Sequence, residues 1–370
     1  MKSLRVLISA GEPSGDHHGA HLARALGTRS AEIWIDALGG PELRRTAARV
    51  RWPSDSLGAI GLVEVITSLP AHLRLLRAMG GELAKGKYDL LVCIDYPGFN
   101  LRLAERARRH GVPVLWYIAP QLWAWRAGRA ARMARAIDRM AVILPFEQEY
   151  FSSVGIRAEH VGHPLLDGPP PPNRAAARAA LGIAAADRVL ALFPGSRPAE
   201  IRRLWPRYRD AARRLSAAGQ CDSVLVAAVG GGEYPDPAGT RLIPGGAEVI
   251  LAAADAAVVT SGTATLEAAI ADVPMVVAYR VHPLTHRLAR RLLRVPWISL
   301  VNLIADREVV PELIQGEATV DRIVRETAPL LDGNSPLASE QRVAFRELRG
   351  RLGGAGASGR VADLALEMMS

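Results

Sequence analysis

Residues 256–280 read AAVVTSGTATLEAAIADVPMVVAYR and contain the clearest structural pattern in the chain. An apolar run over residues 256–259 stops at the turn Ser261-Gly262-Thr263, helix-forming residues follow, and Asp272-Val273-Pro274 ends them before a second apolar run. Both runs have the length of buried strands, and the segment between them is typical of a helix. This order predicts a βαβ unit and therefore a parallel sheet.

The turn of this unit is a candidate nucleotide site. It places free backbone N–H groups and the positive end of a helix dipole at the carboxyl edge of the sheet, where α/β folds bind ligands. A pyrophosphate suits such a turn, and Glu267, about one helical turn after Thr263, could accept hydrogen bonds from ribose hydroxyls. The alternative is that Ser261 and Thr263 are ordinary helix caps and that Glu267 is a solvated helix residue.

The length of the chain predicts two domains. Its 370 residues exceed the size at which a single hydrophobic core stops growing, and an apolar fraction of 49% suffices for two cores. We place the boundary in residues 162–173, GHPLLDGPPPPN, because four consecutive prolines form a stiff connector. We therefore expect a first domain over residues 1–167 and a second over residues 168–345.

The cysteines and the N-terminus bear on the compartment. Only Cys93 and Cys221 are present, without metal-ligand spacing, which favours a reducing compartment and argues against structural zinc or a disulfide framework. The apolar run near the N-terminus is too short for a signal peptide, and no later segment is apolar for long enough to span a membrane. We expect a cytoplasmic protein that can still touch a membrane surface.

The formal net charge of +9 does not by itself indicate nucleic-acid binding. Lysine occurs only at Lys2, Lys85 and Lys87, and the many arginines are scattered over predicted helices without interleaved aromatic residues. No nucleic acid is therefore expected as a partner. An arginine-rich surface also suits anionic lipids or phosphorylated substrates.

The first domain opens with an apolar strand, Leu4–Ala10, followed by GEPSGDHHG over residues 11–19. We expect a loop here, with a helix starting at residue 20, so that Glu12, Ser14 and Asp16 lie at the carboxyl end of the strand. The segment lacks the spacing of a dinucleotide fingerprint and the lysine of a P-loop. Its adjacent histidines would point in different directions, so no metal site is predicted.

A later strand, Leu90–Ile94, delivers Asp95 to its carboxyl end before a Pro-Gly turn and a helix expected from residue 101. An apolar strand end can raise the pKa of a carboxyl group, which makes Asp95 a candidate for proton transfer. The alternative is a turn-forming or helix-capping aspartate. Trp123 and Trp125 follow the next strand and predict either an acyl-contacting surface or core packing.

The second domain repeats this arrangement of polar turns after apolar strands. Its strand Val189–Phe193 leads into PGSR, with Ser196 in the turn and Arg197 before a helix. The guanidinium group of Arg197 can fork onto a phosphate, and the backbone N–H groups of the turn are expected to point the same way. Three later polar residues lie among apolar ones, although helix capping would explain each singly: Asn302, Glu312 and Gln315.

Eight segments together resemble the lipid-A-disaccharide synthase family, whose members are inverting glycosyltransferases of the GT-B type. In chain order they are SAGEPSGDHHGA, GAIGLVEVI, CIDYPGFN, APQLWAWR, LPFE with GHP, PGSRPAEI, TSGTATLEAAIADVPMVVAYR and SLVNLIADREVVPELIQ. They cover nearly the whole chain. The resemblance implies an α/β fold of two Rossmann-like domains with parallel sheets facing across a cleft. The departures are that the family does not require His17 and His18, and that residues 229–250 are short for it.

The resemblance also implies a reaction. UDP-2,3-diacylglucosamine would donate its sugar to 2,3-diacylglucosamine 1-phosphate, forming the β-1,6 disaccharide 1-phosphate and releasing UDP. The first domain would bind the acceptor, with Asp95 as the base, through Glu12, Ser14, Gly15, Asp16, Trp123, Trp125 and His163. The second would bind UDP through Ser196, Arg197, Ser261, Gly262, Thr263, Glu267, Asn302, Glu312 and Gln315.

The resemblance further bears on cofactors and assembly. No cofactor and no metal are expected, because Arg197 and a helix start can stabilise the leaving group and the sequence has no DxD-type carboxylate pair. Residues 346–370 are expected to form a helix that returns to a first domain. The family implies a homodimer in which this region is exchanged between subunits.

Residues 57–83 are predicted to dock on the cytoplasmic face of the inner membrane. The segment is rich in Leu, Ile and Val but contains Pro70 and is too polar to span. Periodicity alone favours a helix that faces the first domain's core. We nevertheless expect membrane contact, because both substrates implied by the resemblance carry acyl chains. The proposed contact residues are Val63, Ile66, Leu69, Leu73 and Leu76.

Two other functions fit parts of the sequence. One is another UDP-sugar enzyme of the same architecture, either a lipid glycosyltransferase or a UDP-sugar 2-epimerase, which product analysis would separate. The other is a non-enzymatic protein that binds a nucleotide sugar or a lipid. In that case, replacing Asp95 by Asn would leave its function intact.

Overall fold

The computed structural model describes residues 3–55, 62–125, 127–168, 170–283, 286–287 and 295–370, with the backbone alone for residues 62–68, 125 and 127. The chain divides into two compact units. Unit 1 comprises Met1–Gly168 and Leu352–Ser370, and unit 2 comprises Pro169–Arg351.

Unit 1 is built on a parallel sheet. Its strands are β1 (Leu4–Ala10), β2 (Ile33–Gly39), β3 (Arg49–Pro53), β4 (Leu90–Ile94), β5 (Val114–Tyr117), β6 (Arg139–Val142) and β7 (Ala158–His160). They form a seven-stranded sheet in the order β3-β2-β1-β4-β5-β6-β7, and every pairing is parallel. β4 and β5 are buried along their whole length, as expected of central strands covered on both faces.

Helices connect these strands, and two of them begin earlier than the sequence predicts. The helices are α1 (Pro13–Arg29), α2 (Pro41–Arg44), α3 (Leu62–Ala84), α4 (Pro97–Arg109), α5 (Leu122–Trp125), α6 (Ala130–Ala134) and α7 (Pro145–Ser153). The predicted starts at residues 20 and 101 are therefore wrong. Pro13 and Pro97 occupy first-turn positions, where a fixed φ angle and a missing N–H favour helix initiation.

Unit 2 has the same architecture with fewer strands. These are β8 (Val189–Phe193), β9 (Ser223–Ala228), β10 (Arg241–Pro244), β11 (Ala256–Val259), β12 (Met275–Tyr279) and β13 (Glu312–Ile314). Their order is β10-β9-β8-β11-β12-β13, again with every pairing parallel. Its helices are α8 (Arg174–Ala180), α9 (Pro198–Ala217), α10 (Ala247–Ala253), α11 (Thr263–Ile270), α12 (Leu300–Ala305), α13 (Val320–Thr327) and α14 (Pro336–Arg351). The βαβ unit predicted for residues 256–280 is confirmed as β11-α11-β12.

Each sheet has one point where the strand order reverses direction. In unit 1 this switch point lies between β1 and β4, and in unit 2 it lies between β8 and β11. The loops after two such strands diverge to opposite faces and leave a crevice at the carboxyl edge. The segments that follow β1, β4, β8 and β11 are those that carry Glu12, Asp95, Arg197 and Ser261.

The last helix, α15 (Ala357–Met369), belongs to unit 1. Its first backbone N–H groups, of Gly356, Ala357 and Ser358, donate to the carboxylate of Asp167 at 2.7, 2.9 and 2.9 Å. The predicted start of the returning segment at residue 346 falls inside α14, because α14 continues to Arg351 and Arg349 donates to the carbonyl oxygen of Ile270 in unit 2 (2.9 Å). The structure moves this boundary to Leu352.

Candidate functional site

Asp95 lies in an unusual backbone turn at the unit 1 switch point. Its φ angle is 43° and that of Tyr96 is 50°, so two successive non-glycine residues adopt left-handed conformations. Ile118, which follows the neighbouring strand β5, has a φ of 65° although it is β-branched. Such residues are costly and persist where the surrounding structure holds them, often at functional sites.

The buried side chain of Asn100 holds this turn in place. Its Nδ2 donates to the carbonyl oxygens of Ser9, Ile94 and Asp95 at 3.2, 3.1 and 2.8 Å. Its Oδ1 accepts a hydrogen bond from the hydroxyl of Ser9 at 2.6 Å. One side chain on α4 therefore ties the ends of β1 and β4 together beneath Asp95.

The surroundings of Asp95 favour its protonated form. Burial, and to a smaller extent the negative charge of Glu12, raise the pKa of Asp95 to about 6, although a backbone hydrogen bond from Tyr96 opposes the shift. The structure thus brings Glu12 and Asp95 together, as the sequence predicts. A carboxyl group with such a pKa is mostly ionised at neutral pH and is a stronger base than an ordinary aspartate, so it is suited to accept a proton.

An aromatic group closes one side of this site. The ring of Tyr96 stacks on Phe99 with centroids 5.8 Å apart, and its hydroxyl contacts Nε2 of His72. Burial and the charge of Glu12 raise the pKa of Tyr96 to about 12, so its hydroxyl stays protonated. The ring also passes so close to Gly11 that a Cβ atom there would overlap it.

Of the other residues predicted around residue 14, the structure assigns different roles to three. Ser14 is exposed in the first turn of α1. Gly15 is buried, and a Cβ atom there would lie in contact with Ala10. Asp16 is only 2% exposed and accepts hydrogen bonds from the backbone N–H groups of Gly40 (2.6 Å) and Glu42 (2.8 Å). The prediction of a direct substrate contact is therefore wrong for Asp16, which holds the start of α2.

Trp123 and His163 are also interior residues. Trp123 is 8% exposed and donates from Nε1 to Oε1 of the buried Glu147 at 3.1 Å, which supports core packing and contradicts the acyl-contacting interpretation. His163 is 5% exposed and accepts at Nδ1 from the N–H of Leu165 (3.2 Å). Burial and the nearby His18 lower the pKa of His163 to about 4. The side chain of Trp125 lies outside the described residues.

In unit 2, Arg197 begins α9 at the switch point. Its side chain is 65% exposed and lies 3.4 Å from Oε1 of Glu200. The other oxygen of Glu200 accepts from the backbone N–H groups of Ser196 and Arg197 at 3.2 and 3.4 Å. The N–H groups of this turn were expected to face a phosphate, but Glu200 occupies them. The exposed guanidinium group keeps further donors for a ligand.

The segment after β11 keeps its N–H groups at the open edge. Gly262 has φ 144° and ψ −162°, a conformation open to glycine, and no side chain caps the following helix. The hydroxyl of Ser261 donates to the carbonyl oxygen of Ile298 (2.7 Å), and Thr263 is exposed. Burial raises the pKa of Glu267, helped by the charge of Glu248.

A hydrogen-bond network links this segment to the residues after β12. Oε2 and Oε1 of Glu312 accept from the backbone N–H groups of Ile298 and Ser299, both at 2.9 Å, and Nδ2 of Asn302 donates to Oε1 at 3.0 Å. Asn302 is fully buried. The structure therefore brings Ser261, Asn302 and Glu312 together, but Asn302 and Glu312 act as supports rather than as exposed ligand contacts.

Gln315 differs from these supporting residues. It follows β13 at the carboxyl edge, with a φ of 55°. Its Nε2 atom is buried and finds no hydrogen-bond partner in the part of the chain that the structure describes. An unsatisfied buried donor at a ligand-binding edge is what a missing ligand group would leave behind.

Among the described residues, no group of three or more His, Cys, Asp or Glu side chains is arranged to hold a metal ion. His17 and His18 lie on α1 beside His21, with ring centroids of His17 and His21 4.6 Å apart. Burial, with the charges of His17 and His21, lowers the pKa of His18 to about 4. His18 is therefore neutral at physiological pH.

The segment predicted to contact the membrane forms most of α3. Within its described side chains, Leu76 is only 5% exposed and belongs to the core, so the prediction of a membrane contact there is wrong. Leu73 is half-buried, and Leu69 is 47% exposed. The side chains of Val63 and Ile66 lie outside the described residues. None of the helices that the structure describes is long and apolar enough to cross a membrane.

Sequence reasoning missed several residues that shape these sites. Asn100, Tyr96 and Gly11 position Asp95, and Glu200 occupies the turn before Arg197. The only sequence signals were local: Glu200 stands three residues after Arg197, a spacing typical of a capping box. Nothing local indicates that Asn100 pairs with Ser9.

Solved structures define the class of protein that has this fold. The glycotransferase of kitacinnamycin matches with a TM-score of 0.66 over 99% of both chains at 16% identity. A UDP-GlcNAc 2-epimerase from Neisseria meningitidis, bound to UDP-GlcNAc, matches with a TM-score of 0.59 over 99% of both chains at 11% identity. The chain thus has the two-domain GT-B fold that glycosyltransferases and such epimerases share.

Sequence comparison identifies the family. Residues 6–353 match the family model described as lipid-A-disaccharide synthetase. The lipid-A-disaccharide synthases of Anaeromyxobacter sp. (strain K) and Myxococcus xanthus are 40% and 39% identical to it, each over 99% of this chain and 97% of the relative. The chain belongs to the lipid-A-disaccharide synthetase family and is a glycosyltransferase.

Proposed function

We propose that the enzyme transfers 2,3-diacylglucosamine from its UDP derivative to 2,3-diacylglucosamine 1-phosphate, forming a β-1,6 disaccharide 1-phosphate and UDP. The observation that carries this proposal is the turn at Asp95, where a carboxyl group with a pKa of about 6 stands at the switch point of a family member. Unit 1 would bind the acceptor and unit 2 the UDP-sugar.

Asp95 would act as the general base. Its carboxylate takes the proton from the 6-hydroxyl of the acceptor as that oxygen attacks the anomeric carbon from the face opposite UDP, which inverts the configuration. Glu12 would contribute in two ways, by raising the pKa of Asp95 and by lining the same edge with Ser14. Asn100 and Gly11 would position the turn without touching substrate.

The donor would bind at the carboxyl edge of unit 2. The pyrophosphate would meet the guanidinium group of Arg197 and the N–H groups that begin α11 after Gly262. Glu267 would accept hydrogen bonds from ribose hydroxyls, and the unsatisfied Nε2 of Gln315 would donate to the nucleoside. Because these groups can stabilise the charge of the departing UDP, we propose that no metal is required.

The decisive experiment is product analysis. Incubation with the two acylated sugars should yield disaccharide 1-phosphate and UDP in equal amounts by mass spectrometry, with or without excess chelator. A free UDP-sugar isomer in place of a disaccharide would indicate an epimerase and overturn the proposal. Activity that returns only when Mg²⁺ is added to chelated enzyme would contradict metal independence.

Arg197→Lys tests the phosphate contact. Lysine keeps the charge but loses the forked geometry, so kcat/KM for the UDP-sugar should fall by about tenfold or more. The matched control is Arg214→Lys, because Arg214 lies near the other end of α9 and pairs with the exposed Asp321. Equal activity of the two lysine variants would show that Arg197 contributes only charge, or that the phosphates bind elsewhere.

We also propose that the enzyme docks on the cytoplasmic face of the inner membrane through α3. Val63, Ile66 and Leu69 would enter the lipid surface, and Arg74 and Arg77, both exposed on the same helix, would meet anionic head groups. Docking would bring the acyl chains of the acceptor to the carboxyl edge of unit 1.

Replacing Val63, Ile66 and Leu69 together by Ser should weaken binding to anionic vesicles and leave the melting temperature nearly unchanged. Leu76→Ser is the matched control, because this core residue should lower the melting temperature strongly. Vesicle sedimentation and thermal unfolding provide the two measurements. Intact vesicle binding combined with a large fall in the triple variant's melting temperature would place the docking surface elsewhere.

The proposal includes a homodimer that exchanges residues 352–370. α15 is attached to unit 1 by contacts that a second copy would offer equally, among them the ion pair of Arg139 with Glu367 at 2.7 Å. Light scattering of the purified protein tests it, and a monomer at all concentrations would contradict the exchange.

A further inference from the structure

Three arginines lie near the carboxyl end of β12. Arg203 and Arg207 lie on α9, and Arg280 directly follows β12. All three are half-buried, and none forms an ion pair with a residue that the structure describes. By contrast, other arginines of α9 do have acidic partners, such as Arg213 with Asp236 at 2.8 Å.

The backbone geometry aims the first two side chains at the carboxyl edge. Nη1 of Arg203 donates to the carbonyl oxygen of Ala199 at 2.9 Å, and Nη1 of Arg207 donates to that of Arg203 at 2.8 Å. Both side chains therefore fold back toward the start of α9, which is the edge where β12 ends. Each guanidinium group keeps further N–H donors that no described residue takes up.

α9 is fixed against the end of β12, so this arrangement is rigid. The hydroxyl of the buried Tyr208 donates to the carbonyl oxygen of Ala278 at 3.1 Å. The neighbouring Trp205 is also fully buried in the core of unit 2. The core therefore sets the backbone positions of two arginines: Arg207, which precedes Tyr208, and Arg280, which lies two residues after Ala278.

The charges of these groups are unfavourable to one another. Burial and the proximity of Arg280 lower the pKa of Arg207. The residues 284–294 that follow Arg280 contain no Asp or Glu that could neutralise it. Half-buried like charges destabilise a fold unless an anion binds between them, which makes this cluster a preformed anion site.

We propose that Arg203, Arg207 and Arg280 bind a phosphate monoester at the carboxyl end of β12. A monoester dianion offers three oxygens to forked guanidinium groups and matches the excess of positive charge. The site follows β12, one strand beyond the switch point between β8 and β11.

The test uses glucosamine 1-phosphate, which lacks acyl chains, and UDP as separate titrants in calorimetry. Arg207→Gln and Arg280→Gln should each weaken glucosamine 1-phosphate binding about tenfold or more and leave UDP binding unchanged. Arg207→Lys should restore part of the affinity. Arg214→Gln is the matched control on the same helix and should change neither affinity, because its exposed side chain pairs with Asp321.

Stability gives a second readout that a purely structural role would not reproduce. Without phosphate, Arg207→Gln should melt at the wild-type temperature or above it, because a like-charge repulsion is removed. Inorganic phosphate should raise the melting temperature of the wild type more than that of this variant, at matched ionic strength.

Three outcomes would overturn the inference: a wild type that does not bind glucosamine 1-phosphate, variants that bind it normally, or variants that lose UDP affinity instead. Turnover separates this inference from the proposed function. If the wild type forms disaccharide and the variants bind the monoester normally, the proposed site is wrong and the proposed function stands. If the wild type binds the monoester through these arginines but forms no disaccharide, the site stands and the proposed function is wrong.

Discussion

Asp95→Asn should lower kcat by about 10²–10⁴-fold and leave the affinity for UDP unchanged. Asparagine fits the same turn but cannot accept the proton of the attacking hydroxyl. The residues that we propose bind UDP belong to unit 2, whereas Asp95 belongs to unit 1, so the donor affinity should not respond. Single-turnover kinetics and UDP titration of the same preparation measure the two quantities.

The pH dependence of this variant provides a sharper test. Because the pKa of Asp95 is about 6, wild-type kcat/KM should fall as the pH is lowered through this value, where the base becomes protonated. The kcat/KM of Asp95→Asn should be low and should not show this fall at acidic pH, which we call the acidic limb of the pH profile. A variant that keeps near-normal turnover, or the same limb at pH 6, would remove Asp95 from the mechanism.

Stability should move in the opposite direction from activity. A carboxyl group whose pKa is raised on folding binds its proton more tightly in the native state, so its contribution to stability is lost as the pH rises from its ordinary value through about 6. At pH 8 the ionised Asp95 therefore opposes folding, and Asp95→Asn should melt at the same temperature as the wild type or higher. Lost activity with preserved stability would exclude misfolding as the cause.

The sequence predicted the parallel sheets because their strands carry continuous apolar runs. β1, β4, β8 and β11 were located to the residue, since each run has Gly, Pro or a charged residue on at least one side. The four edge strands β3, β7, β10 and β13 went unnoticed, because none has a long buried stretch, and so did β2, whose burial is interrupted. An edge strand shows no apolar run when one side of it faces solvent.

The candidate sites could be predicted only in part, for a related reason. The residues that follow buried strands were found from their place in the chain, among them Asp95, Arg197 and Ser261. Sequence reasoning could not find the roles of Asp16, Trp123 and Asn302, because their hydrogen-bond partners come from other segments. Asp16, for example, accepts hydrogen bonds from residues 24 to 27 positions away. Whether a polar residue faces a ligand or a backbone group depends on such distant contacts.

Asn100→Leu should show that the turn at Asp95 is held from beneath. Leucine fills the site but leaves the hydroxyl of Ser9 and three carbonyl oxygens without the partner they have in the native fold. Unsatisfied buried polar groups of this kind should lower the free energy of unfolding by roughly 2–4 kcal/mol. Because the left-handed conformations of Asp95 and Tyr96 lose their tie, kcat should also fall by at least about tenfold.

The control is Ser9→Ala, which removes the hydroxyl but keeps all three hydrogen bonds that Nδ2 of Asn100 donates. It should cost only about 1 kcal/mol of stability and leave kcat close to that of the wild type. A positioning role predicts that Asn100→Leu lowers kcat even at temperatures where the variant is fully folded, with unchanged UDP affinity and an unshifted acidic limb. Near-normal kcat in folded Asn100→Leu enzyme would mean that the Asp95 turn keeps its geometry without this network, and that Asn100 serves stability alone.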